Sequence, residues 1–475
     1  MSAGRAPRLE TEVMDVPAAL DWTPTGVRCN MNRREIAGMG WNRWYSLKSY
    51  LRSSLWTVPL FAVAIYAVVK PATEMVGRWM IRQGSLDPKT GFLGLSMTGA
   101  RSLLGDIVSA DMAFLVFTFG SLLVAIQVAG GQYTPRIIAT TLLRDNIIRG
   151  ISGLFVFTLL FANRTLAWMG ENEVHQLQLF IAALFGFASV VAFLFLIDYA
   201  AKFLRPVSLV ARVGEQGIAV IESVYPALTA DGATPANRDK ERDVPDHIVR
   251  HHGKSGIVLA LNLEMLVAKA RRADAVIEFV PQVGDFVAMG EPLFYLYRNS
   301  GAIDDGRLRA LVAFGTERTM EQDPMFAFRI LVDIALKALS AAINDPTTAV
   351  LAIDQLHRLL RLVGKRSLHI EEMVDGSGRV RVILWTPKWE DFVHISFREI
   401  RQCGAGSIQI ARRLRAALEN LIQRLPEHRH AALLVELMLL DRAIALKHPF
   451  PEDLALARIA DSQGLGGSAA SPANN

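Results

Sequence analysis

The chain has 475 residues, room for two or three domains, of which 51% are apolar and 20% charged. Its net charge of +5 is modest, and Lys and Arg cluster beside apolar runs instead of along one soluble face, which excludes a nucleic-acid binder. Cys29 and Cys403 lie far apart in sequence, which excludes a disulfide framework and fits a reducing compartment.

Residues 1–50 are polar and basic, with no short apolar run before a cleavage site, so no secretory signal peptide is expected. A membrane-spanning helix takes about 20 apolar residues. Four segments approach that length, roughly 51–69, 111–129, 147–169 and 177–199. Asn163 and Arg164 interrupt the third. Arg28, Arg33, Arg34, Arg43, Lys48 and Arg52 precede the first span. Arg136, Arg144 and Arg149 follow the second, and Lys202, Arg205 and Arg212 follow the fourth. The loop 170–176 has no Lys or Arg. This asymmetry predicts both termini in the cytoplasm, although the loop 70–110 carries five basic residues against it.

Within the second span, Gly120, Val124, Gln127 and Gly131 share one face, and Thr118, Ser121 and Ala125 form a second small face beside it. Small faces permit close helix packing; around an oligomer axis they would line a narrow polar path. Thr118, Gly120, Ser121, Gln127 and Arg164 are therefore the pore-lining or packing candidates. Arg164 either serves a site inside the bundle or snorkels to the outer interface. Asp111 and Asp198 fall at predicted span ends, where a charge needs no special role. Where the second span ends, "GGQYTPR" breaks the helix. Gln132, Pro135 and Arg136 there are candidates for coupling the membrane to the soluble half.

Residues 201–226 continue as a helix leaving the membrane, and 227–246 read as a linker. Residues 247–310 form a β-rich module, whose "VPQVGDFVAMGEPLF" resembles barrel-sandwich carrier domains; no Lys stands at the modification position, so only a small β-sandwich shape is expected. Residues 311–463 are α-rich with a β-hairpin near 367–385 turning at "DGSG". The tail 464–475 is disordered by composition. In "KALSAAINDPTTAVLAID", Asp345 is a helix N-cap with Pro346 at the first helical position. Asp323-Pro324 repeats the device 22 residues earlier. Asn344 has no role in that scheme.

"HHGKSG" lacks the first glycine of a phosphate-binding loop, and His247–His252 lie at a linker end with only Asp246 nearby, so neither nucleotide nor metal binding is expected. No hydrolase, zinc-protease or dinucleotide motif appears, so no catalytic residues, no cofactor and no enzyme activity are expected.

Three stretches, "VAGGQYTPRIIATTLLRDN" from Val128, "SGIVLALNLEMLV…VGDFVAMGEPL" from Ser255 and "GTERTMEQDPMFAFRILVDIALKALSAAINDPTTA" from Gly315, resemble a bacterial family of predicted membrane proteins, domain of unknown function 2254. Ala341-Ala342 depart from its usual Pro-Gly, and Arg164 is unusual for it. The resemblance implies a membrane protein with a cytoplasmic domain and implies no activity.

The fold expected is a bundle of four transmembrane helices plus a cytoplasmic α+β domain, in a bacterial inner membrane. The function expected is a homo-oligomeric channel or permeation pathway with a cytoplasmic regulatory domain. The alternative is a membrane-anchored sensor or scaffold recruiting a protein partner or small ligand.

Overall fold

A computed structural model describes residues 22–23, 26–27, 41–42, 44–45, 51, 57–83, 95–133, 145–169, 176–203, 205–228, 244–368 and 372–466. Four helices among them are long and apolar enough to cross a membrane: α1 (Thr57–Arg82), α2 (Met97–Gln132), α3 (Asn146–Trp168) and α4 (Gln176–Phe203).

Two of these exceed the apolar runs that announced them. α1 continues through Pro71, and the ion pair Lys70–Glu74 at 2.7 Å spans that turn. α2 begins at Met97, not near residue 111, because Ser96 caps it, its hydroxyl accepting from the Gly99 amide at 3.2 Å. Asp111 therefore lies inside the second spanning helix, a correction to its expected place at a span end.

α3 is the most enclosed helix, packed against α1, α2 and α4. Gly153 admits α1 closely, since a Cβ there would stand 2.8 Å from Val58 Cγ1. Gly186 on α4 does the same against Ile107 of α2. Leu104, Phe157, Phe161 and Leu179 fill one interior layer, and Leu122, Phe155 and Leu196 another. Outward-facing Phe61, Phe187 and Leu194 are exposed, as a lipid-facing surface requires.

After a break at Pro206, α5 (Pro206–Val224) leaves the bundle and enters the core of the extramembrane domain. Leu209, Val210, Val213 and Ile221 on α5 are fully buried against α7 (Pro324–Ala338) and α8 (Pro346–Val363). The same core continues into α9 (Trp389–Gly404), α10 (Ile408–Arg424), α11 (His430–Lys447) and α12 (Pro451–Ala457). At its other end it reaches Ala129, Tyr133 and Phe203 at the ends of the spans. Membrane helices and extramembrane helices thus share one hydrophobic core.

The module between α5 and α7 holds two sheets. Strands β1 (His247–Arg250), β3 (Val276–Phe279), β5 (Pro292–Tyr297), β7 (Glu372–Val374) and β8 (Val380–Leu384) form the larger, in the order β1-β5-β3-β8-β7. Strands β2 (Gly256–Leu261), β4 (Phe286–Val287) and β6 (Val312–Gly315) form the smaller, in the order β4-β2-β6. Helix α6 (Leu263–Ala273) lies where the composition reads β-rich; Asn262 caps it, accepting from the Met265 amide at 3.1 Å. The hairpin β7–β8 turns at Asp375–Gly378, as its turn residues predict, but it belongs to the module. β8 pairs parallel with β3, Val382 opposite Ile277. Residues far apart in sequence therefore close one sheet, and a small local sandwich gives way to a mixed one.

Candidate functional site

Where the sheet module meets the helical half, two cavities adjoin. The first, about 260 Å³, is apolar and lined by Tyr225 at the end of α5, Leu261, Phe279, Leu384 and Trp385, with Pro324 at the start of α7. Tyr225 is fully buried and its hydroxyl has no hydrogen-bond partner among the described residues. Burial, reinforced by the charges of Asp323 and Asp391, pushes the phenol above its ordinary range, so it stays a neutral donor.

The second cavity, about 390 Å³, is charged, with Arg318, Arg329, His394 and Arg398 facing Asp285, Asp323 and Asp391. Val283, Asp323 and Pro387 line both. Backbone amides already occupy the acids: Asp285 accepts from Gln282 and Asp391 from Lys388, each at 2.8 Å. Asp323 caps α7, accepting from the Phe326 amide at 3.1 Å, and pairs with Arg318 at 2.9 Å. Burial raises its carboxyl above the ordinary value and outweighs the downward pull of Arg318. Arg329 is held in a fork by Glu399, at 2.6 and 3.1 Å, and by Asp333. Arg398 is exposed and has no partner among the described residues. The cationic side of this cavity thus keeps unspent capacity for an anion.

One glycine makes the arrangement possible. Gly284 has φ of 96°, and a Cβ there would stand 2.1 Å from Arg318 Nη2 and 2.5 Å from Asp323 Oδ2. The sequence marks Asp323 as a cap, but not its meeting with Gly284 and Arg318. Nor did it single out Tyr225.

At the junction with the membrane, Asp145 caps α3, accepting from the Ile147 and Ile148 amides at 3.0 Å each. Its other oxygen accepts from the Tyr199 hydroxyl of α4 at 2.6 Å and from Arg212 of α5 at 2.7 Å. The Arg212 guanidinium also lies 4.3 Å from the Phe203 ring centroid. Burial pushes the Asp145 carboxyl up, but Tyr199, Ile148 and Arg212 together hold it below its ordinary value. Arg149 ties α3 to the start of α1 through Thr57 and the Leu51 carbonyl. Arg149 and Arg212 had been read only as flanking positive charge. Of the sequence-based coupling residues, Gln132 ends α2, and Pro135 and Arg136 lie outside the described residues.

The other candidates separate. Thr118 is buried, its hydroxyl donating to the Phe114 carbonyl at 2.7 Å. Gly120, Ser121 and Gln127 are exposed on α2, and a Cβ at Gly120 would meet nothing. Arg164 is exposed near the end of α3 farthest from the extramembrane domain, 5.7 Å from the Trp168 ring centroid and beside Lys70, Glu74 and Gln178. Asp345 caps α8, accepting from the Thr348 amide at 3.1 Å. His247 lies on a strand and meets Asp305 at 3.0 Å, while His251 meets the Lys254 carbonyl at 3.0 Å. Among the described residues no cluster fit for a metal ion occurs.

A chain of four apolar helices joined to a mixed helix-and-sheet domain is a multi-span membrane protein in architecture. Residues 52–420 match the family described as predicted membrane protein, domain of unknown function 2254, and the chain belongs to it. It is similar to uncharacterized proteins of Mycobacterium bovis and Mycobacterium tuberculosis, each 26% identical over 377 residues, covering 77% of this chain and 71% of theirs. No solved structure matches it.

Proposed function

We propose that the protein is a homo-oligomeric permeation pathway, non-enzymatic, whose extramembrane domain is regulatory and lies with both termini in the cytoplasm of a bacterial inner membrane. One observation carries the regulatory part: α5 is at once the continuation of the last span and, through Tyr225, a wall of the apolar cavity. A ligand seated there touches the element that holds Asp145 and Tyr199 through Arg212. An apolar cavity beside a charged one that keeps Arg398 without a partner among the described residues suits a small amphiphile with an anionic head. The pathway itself is supported by the face of Gly120, Val124, Gln127 and Gly131, exposed along α2 and open to a second copy.

Ion flux through liposomes holding the purified full-length protein tests this reading. Flux that changes in Gln127→Leu is expected, and no flux under any pH, voltage or membrane tension would overturn it. The second reading, a membrane-anchored sensor or scaffold, draws on the same cavities without needing a path. It predicts a partner that co-purifies reproducibly through the extramembrane domain, and spans that tolerate polar-to-apolar changes.

A further inference from the structure

The least expected group in the bundle is Asp111. It is 1% exposed, on the face of α2 turned inward, and among the described residues neither carboxyl oxygen is placed in a hydrogen bond. The Ser189 hydroxyl of α4 stands beside it and itself donates to Thr158 of α3 at 3.3 Å. One residue from each of three helices thus converges on one polar spot inside the bundle.

The depth of that spot follows from the helices. On α4, Ser189 lies midway along the apolar run between Gln178 and Asp198, about 15 Å from each at 1.5 Å per residue. Thr158 is likewise near the middle of α3. Among the described residues, the neighbouring helices offer no counter-charge at that depth. α4 carries no charged or titratable residue between Gln176 and Ile197. α3 carries only Arg149 and Arg164, toward its opposite ends, and Arg149 is committed to Thr57 and Leu51. On α2 itself the nearest are Arg101 and Asp106, of which Arg101 reaches the Met169 carbonyl at 3.1 Å. On α1 the charged groups are Lys70, Glu74, Arg78 and Arg82, and Tyr66 is the one other titratable side chain.

An ionised carboxylate enclosed by apolar side chains needs a cation or must take up a proton. A calcium or magnesium ion would need about six oxygen ligands. One carboxyl and two hydroxyls are too few for it and enough for a proton, which needs one oxygen to hold it and a hydroxyl to stabilise it. We propose that Asp111, with Ser189 and Thr158, is a reversible proton-binding site at mid-depth of the membrane bundle. When the proton is bound, the carboxylic acid and the two hydroxyls form a short neutral chain. When it leaves, the charge is met by Ser189 turning its hydroxyl from Thr158 to the carboxylate. This inference does not depend on whether copies assemble around α2 or whether ions pass.

Infrared difference spectroscopy on the full-length protein in liposomes, between acidic and alkaline pH, reads the site directly. The expected result is a protonated-carboxyl carbonyl band that vanishes as pH rises, is missing from Asp111→Asn, and shifts in frequency in Ser189→Ala. Asp111→Asn keeps shape and volume, and its thermal unfolding in detergent verifies the fold. Identical difference spectra for the native protein and Asp111→Asn overturn the proposal, since Asp111 would then hold one protonation state throughout. A band unmoved by Ser189→Ala would overturn the role of Ser189.

Discussion

Gly284 shows how much one backbone position decides. Its φ of 96° lies where side-chain-bearing residues are strained, and the space a Cβ would take is filled by Arg318 and Asp323. Gly284→Ala is expected to destabilise the protein by about 1–3 kcal/mol, read as a lower melting temperature in detergent; an unchanged melting temperature would show that Arg318 moves aside freely. A second residue gives a pH signature. Burial, the first cause, with Arg413 and Arg361 nearby, lowers the pKa of His357, whose ring meets Asn420 at 3.0 Å. The folded state holds this His neutral, whereas the unfolded chain takes up a proton near 6.5. Stability should therefore be fully present above that value and be lost as pH falls below it. Melting temperatures across that range should decline less steeply in His357→Asn than in the native protein. At this scale the sequence spoke unevenly. Asp323 and Asp345 announced themselves as caps because a cap is a local device. Asn344 did not, since its reason is a left-handed backbone, φ 48°, in the turn between α7 and α8, where its amide donates to the Ser340 carbonyl at 2.8 Å. Asp111 was misread because a charge at the edge of an apolar run looks terminal when the upstream half of its helix is less apolar.

Among the elements, α5 carries the connection between membrane and domain. Gly217 lets it lie close: a Cβ there would stand 3.0 Å from both Ala327 Cβ and Leu359 Cδ1. Gly217→Val should wedge α5 away from α7 and α8 and lower stability by about 1–3 kcal/mol. Thermal unfolding measures this; valine is the better helix former, so an unchanged or raised melting temperature would refute the close fit. Helices as a class were legible because apolar periodicity is local. Their ends were less so, since Lys70–Glu74 extends α1 past Pro71 and Ser96 starts α2 early. Sheet membership was least legible. The parallel pairing of Val382 with Ile277 joins segments about a hundred residues apart, and no pattern within either segment encodes its partner.

For the molecule as a whole, the shared core running from Ala129 and Phe203 through α5 to α10 makes bundle and domain one mechanical body. Two surfaces are left without an explanation inside one chain: the cationic cavity wall and the face of α2 along Gly120, Val124 and Gln127. We propose that copies of the chain meet on the second. Oxidative cross-linking in native membranes tests it most directly, using Gly120→Cys in a chain whose Cys29 and Cys403 are replaced by Ser. A disulfide-linked dimer is expected from Gly120→Cys and none from Leu194→Cys, which faces outward from α4. No dimer at position 120, or equal dimer from both positions, would contradict it.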